Sequence, residues 1–138
     1  MSSGPLVIIF VAFGLALALL WMVAKMPRRR VISEKDRAGI IAGWQEIERL
    51  MRGGRGKEAI FEADKLLDHI FRKLNLRGES FADRLKAAEK LLVNYQDIWV
   101  AHKLRNKFAH ELDFQPSTRE IQQAIDIFDQ AIRRLSNF

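Results

Sequence analysis

Nineteen consecutive residues without a charge, Leu6 to Ala24 (LVIIFVAFGLALALLWMVA), constrain this chain more than anything else in it. At about 1.5 Å of rise per residue, a helix of that length crosses the roughly 30 Å hydrocarbon core of a bilayer. A cleaved signal peptide would need a basic n-region, a shorter apolar stretch and a small-x-small cleavage site. Met1-Ser2-Ser3-Gly4-Pro5 has no basic side chain, and Met22-Val23-Ala24-Lys25 is a poor cleavage site. The segment is therefore predicted to be a single transmembrane helix that contacts the lipid bilayer through residues 6–24. Trp21 lies where indoles favour the interface, and Gly14 with Ala18 forms a weak small-x-x-x-small contact signal.

The flanks set the orientation. Lys25, Arg28, Arg29 and Arg30 follow the helix, whereas only the terminal amine precedes it. The positive-inside rule then predicts a single-pass protein of the cell inner (plasma) membrane, N-terminus outside and C-terminal part cytoplasmic. Three regions follow: residues 1–25 as anchor, 26–33 as basic juxtamembrane linker, and 34–138 as one helical domain.

The net charge of +6 divides unevenly: residues 1–33 hold four basic and no acidic side chains, and residues 34–138 hold nineteen basic and seventeen acidic. The basic excess is mostly juxtamembrane, which fits topology and attraction to anionic lipid. It does not predict a strong non-specific grip on nucleic acid. The absence of cysteine agrees with a reducing compartment.

Three hydroxyl-x-x-carboxylate sequences, Ser33 to Asp36, Ser80 to Asp83 and Ser117 to Glu120, mark helix starts as capping boxes. The first soluble helix is predicted over Glu34–Arg52, with Ile40, Trp44, Ile47 and Met51 inward. Gly53-Gly54-Arg55-Gly56 reads as a helix-terminating turn rather than a phosphate loop. A second helix runs over about Lys57–Asn75, and a shorter one from Phe81 to about Leu92 turns Leu85, Ala88 and Leu92 inward. A break at Val93-Asn94-Tyr95 precedes a helix over about Gln96–Leu112. After Asp113–Pro116 comes a last helix whose Ile121, Ile125, Phe128, Ile132 and Leu135 repeat at bundle-seam spacing. No segment alternates with period two. The predicted fold class is all-α: one N-terminal transmembrane helix, then an up-and-down bundle of four long helices plus one short.

Chemistry has one place to reside, because the chain lacks a Cys nucleophile, a Ser-centred elbow and a Walker-type lysine. No metal-ligand spacing surrounds His69, which reads as a packing or surface residue, and no metal or cofactor is expected. Trp44 and Trp99 read as core and interface aromatics. The remaining candidate is Arg105-Asn106-Lys107-Phe108-Ala109-His110. At 100° per residue, Ile98, Ala101, Phe108, Ala109 and Leu112 share one side, and Arg105 falls inside that apolar sector. His102, Asn106 and His110 form a polar stripe at its edge, while Lys103 and Lys107 flank Arg105 as a small basic patch that suits RNA. A partly buried guanidinium needs a partner, and Glu62 and Asp64 on the second helix are the available carboxylates. On this reading Arg105 and His102 act as interior groups that fix helix register. The same residues also suit phosphodiester chemistry, since Arg binds phosphate and His exchanges protons near neutrality.

With Glu62-Ala63-Asp64 on an early helix and Ala101-His102-Lys103-Leu104-Arg105-Asn106 through Ala109-His110-Glu111 on a later one, the soluble part resembles a HEPN-type helical domain. The family's mark is Arg, four to six residues, then His, with a polar residue after the Arg; Arg105, Asn106 and His110 match it. The resemblance implies a helical bundle that pairs as a homodimer and brings two motifs together. It implies either a metal-independent endoribonuclease using Arg105 and His110, with Asn106 orienting and His102 supporting, or an inactive module that binds protein, nucleotide or RNA. A toxin subgroup carries Tyr two residues after the His, where this chain has Leu112. A purely structural membrane protein, with the motif as an internal ion pair, is the third expectation.

Overall fold

The computed structural model describes residues 4–25 and 31–138; Pro27 and Arg28–Arg30 of the predicted linker lie outside the described residues. Six α-helices and one 3-10 turn make up the described chain, with no strand among them: α1 (Gly4–Lys25), α2 (Glu34–Arg52), α3 (Gly56–Lys73), α4 (Phe81–Ala87), the 3-10 turn Glu89–Leu91, α5 (Tyr95–His110) and α6 (Thr118–Ser136). Within α1, Val7–Lys25 is long and apolar enough to cross a membrane, and none of it is buried in the fold. Lys25 Nζ lies 3.9 Å from the centre of the Trp21 ring.

The remaining helices form a bundle organised around α3, which packs on α2, α4, α5 and α6, while α5 and α6 pack on each other. α3 can occupy that position because Ala59, Ile60, Ala63, Leu67, Ile70 and Phe71 leave almost no apolar face uncovered. From α6, Ile125, Phe128 and Ile132 fill the opposite side of the core, and Ile121 and Leu135 flank it half-buried. In α2 the stripe is Ile40, Trp44, Ile47 and Leu50, so Leu50 takes the deeper position expected of Met51.

Local signals fix the helix starts. Ser80 and Ser117 each accept from the backbone N–H of Asp83 and Glu120, whose carboxylates accept in return from the serine N–H, closing both capping boxes. Hydrogen bonds from Ser80 hold the Asp83 carboxyl below its ordinary range, and those from Ser117 do the same for Glu120. At α2 only half the box forms: Ser33 Oγ accepts from the Asp36 N–H, while Asp36 reaches Lys73 at 2.7 Å.

Two expectations are corrected at helix ends. The short helix stops at Ala87 and finishes as a 3-10 turn, although Leu85, Ala88 and Leu92 are buried as predicted. α5 ends at His110, two residues early, so Leu112 is exposed rather than inward, and Ala109, in the last turn of the helix, is exposed as well. Leu112 lies outside any helix, where the 3.6-residue periodicity that assigned it inward no longer applies.

Candidate functional site

The polar groups of α5 converge on one carboxylate of α3. Asp64, only 5 % exposed, holds His102 Nδ1 at 2.7 Å with one oxygen and faces Arg105 Nε at 3.5 Å with the other. His102 Nε2 lies 3.1 Å from Asn106 Nδ2, and Arg105 Nη1 donates to Asn106 Oδ1 at 3.1 Å. The donor and acceptor roles are fixed by chemistry: a carboxylate only accepts, so Nδ1 carries hydrogen, Nε2 accepts from the Asn106 amide, and the amide oxygen takes the Arg105 hydrogen. The result is a closed ring of Asp64, His102, Asn106 and Arg105 joining α3 to α5.

Aromatic rings enclose this network. The His102 ring stacks on Phe81 at 4.3 Å and 19°, and Trp99 meets it edge-on at 6.3 Å. Arg105 lies 4.9 Å above Phe61, a cation–π contact. Arg105 Nε is buried and makes no hydrogen bond, since the 3.5 Å approach to Asp64 matches charge without hydrogen-bond geometry. Trp99 thus serves the site as an aromatic wall.

Of the two carboxylates expected to partner Arg105, Asp64 does so and Glu62 does not. Glu62 pairs with Lys65 on its own helix at 3.0 Å, because its position on α3 points half outward. His110 stands apart from the ring. It is exposed at the last position of α5, about 12 Å along the helix axis from His102. Arg105 and His102 line a cleft of 620 Å³ between α3, α4 and α5, with Lys65, His69 and Arg72 at its rim. Lys103 and Lys107 do not line that cleft. They border a second groove of 590 Å³ between α5 and α6, lined also by Val100, Leu104, Phe114 and Ile127, and Lys107 lies 5.2 Å above the Phe114 ring.

Sequence reasoning missed a second buried pair beside the first. Arg84 of α4, 7 % exposed, is held by both oxygens of Asp68 at 2.7 and 3.1 Å and donates to the Gly78 carbonyl at 2.7 Å. Gly78 adopts φ +147°, and a Cβ there would lie 2.5 Å from Asp83 Cβ and 2.8 Å from Arg84 N, so only glycine fits this turn. The available signal was Asp64 and Asp68, one helical turn apart on the core-side edge of α3. Two carboxylates at that edge need two cations from neighbouring helices.

Chemically, the ring fixes the orientation of its own members. The acceptor nitrogen of His102 is occupied by the Asn106 amide. Among the described residues no cluster of three or more His, Asp or Glu is placed to hold a metal ion. Comparison with protein-family models, with curated proteins and with solved structures finds no match to the chain.

Proposed function

We propose that this chain is a single-pass, membrane-anchored HEPN-like module, an up-and-down bundle that pairs with a second copy and acts by binding a protein, a nucleotide or RNA. The observation that carries the reading is the division of the motif. Arg105 and Asn106 are committed to Asp64 and His102, whereas His110 stands exposed at the end of α5. Within one chain Arg105 and His110 are thus held apart, and a composite site made of both needs a second copy.

The groove between α5 and α6 supports that second copy. Asp97 lies at the N-terminal end of α5 and Lys103 and Lys107 toward its C-terminal end, with Val100 62 % exposed between them. Two copies anchored by α1 in one membrane run α5 in the same direction, so pairing across this face sets the exposed Val100 side chains against each other and brings the two His110 to the same end. An isologous interface of this kind puts the same residue of both copies at its centre. Val100→Asp places an unpaired charge at that centre and leaves the bundle core untouched. Sedimentation of the full chain in detergent is expected to show dimer dissociation at least tenfold easier, with unchanged helix content; an unaltered dimer would sink the α5 pairing.

A second reading, a metal-independent endoribonuclease, is favoured by the 2.7 Å Asp64–His102 contact, which orients an imidazole as general bases are oriented. Full-length dimer incubated with RNA and chelator separates the two. Intact RNA is the expected result. Cleavage lost in both folded Arg105→Ala and His110→Ala variants would replace the binding reading with the nuclease.

A further inference from the structure

One end of the bundle is basic while the remainder is slightly acidic. The N-terminal end of α2, the C-terminal ends of α3 and α6, and the entry to α5 meet there, tied by Lys73 to Asp36 at 2.7 Å, Arg37 Nε to the Ser136 carbonyl at 3.1 Å, and Arg134 Nε to the Leu91 carbonyl at 3.1 Å. Residues 31–37, 73–77, 89–94 and 133–138 hold seven basic side chains against three acidic; the remainder of residues 31–138 holds twelve against fourteen. Two helix N-termini and two C-termini share this end, so their dipoles largely offset and the side chains set its sign. Lys35, Arg77 and Lys90 are exposed and lie in no ion pair among the described residues, and Arg134 meets only a neutral carbonyl.

The same end exposes apolar surface. Val31 is 83 % and Val93 80 % exposed, two of the four large apolar side chains beyond α1 that stand in solvent among the described residues. Basic groups interleaved with apolar ones are the composition that settles at a membrane interface.

Connectivity brings this end to the bilayer. Ile32 is buried in the core and α1 ends at Lys25, so the intervening chain reaches about 25 Å at full stretch. α2 is itself about 28 Å long, so its far end lies beyond that reach.

We propose that this basic, apolar-studded end of the bundle is a docking surface for anionic lipid headgroups, which stands the domain upright on the membrane that α1 spans. The proposal rests on reading α1 as a membrane anchor. Upright docking sends α5 away from the bilayer and presents His110 and the exposed Leu112 at the tip facing the cytoplasm. The attraction acts only within about 8 Å at physiological salt, so the surface must touch the headgroups.

The chain has no cysteine, so Val93→Cys and Gln115→Cys each give full-length protein one labelling site, at the basic end and at the opposite end. Each labelled protein is placed in nanodiscs carrying a headgroup quencher, in phosphatidylcholine alone or with phosphatidylserine. The expected result is severalfold stronger quenching at Val93→Cys than at Gln115→Cys with phosphatidylserine, reversed by high salt and lost in Lys35→Gln/Arg77→Gln/Lys90→Gln. All three substituted side chains are exposed, so the fold is retained. Equal quenching at both positions, or no dependence on phosphatidylserine, overturns the proposal while a carbonate-resistant, membrane-embedded chain leaves the anchor standing. A chain that alkaline carbonate washes from vesicles overturns the anchor and the proposal with it.

Discussion

Asp64→Ala is expected to lower the stability of the folded domain by about 3 kcal/mol, because it strands two groups at once. His102 Nδ1–H loses its 2.7 Å acceptor, and the Arg105 guanidinium loses its counter-ion. Breaking a buried ion pair from one side costs about 3–5 kcal/mol, and the low end applies because the Arg105 side chain is 28 % exposed and can turn toward water. In thermal unfolding followed by circular dichroism in detergent, that is a fall in Tm of roughly 14 °C. Asp64→Asn keeps an acceptor for His102 and loses only the charge, so it is expected to fall between wild type and Asp64→Ala. A Tm for Asp64→Ala within a degree or two of wild type would mean that the ring does not hold α3 to α5, and the weight would return to chemistry at His102.

The all-helical class was readable because it depends on local periodicity and caps. Ser80 and Ser117 close the boxes their sequences announce, and Ile125, Phe128 and Ile132 go inward as their spacing requires. Periodicity failed where it was carried past a helix end: Leu112 follows the stripe of α5 on paper, but the helix stops at His110 and the side chain is fully exposed. The site was half readable. That Arg105 needs a carboxylate follows from its place in an apolar sector. Choosing Asp64 over Glu62 requires knowing which edge of α3 faces α5, a tertiary fact absent from either helix alone. Nor does α5 by itself reveal that Phe81, brought in by a separate short helix, stacks on His102.

That dependence of the site on α4 makes Asp68→Ala the more disruptive counterpart of Arg84 substitutions. Without Asp68, Arg84 keeps only the Gly78 carbonyl for a charge that is 7 % exposed. The expected loss is about 3–5 kcal/mol, the range for an uncompensated buried charge. Arg84→Met removes the charge itself, and Asp68 retains Arg72 at 2.8 Å, so the expected cost is smaller, about 1–2 kcal/mol. The double variant Asp68→Leu/Arg84→Met should recover part of the Asp68→Ala loss, since no charge is then stranded. Because Arg84 fastens the helix that carries Phe81, Asp68→Ala should also move the His102 ring proton resonances, which sense the stacked Phe81 ring, under conditions where the domain is still folded. Unmoved His102 signals in a destabilised Asp68→Ala protein would mean that α4 positions Phe81 without this ion pair, and that the two carboxylates of α3 anchor separate parts of the bundle.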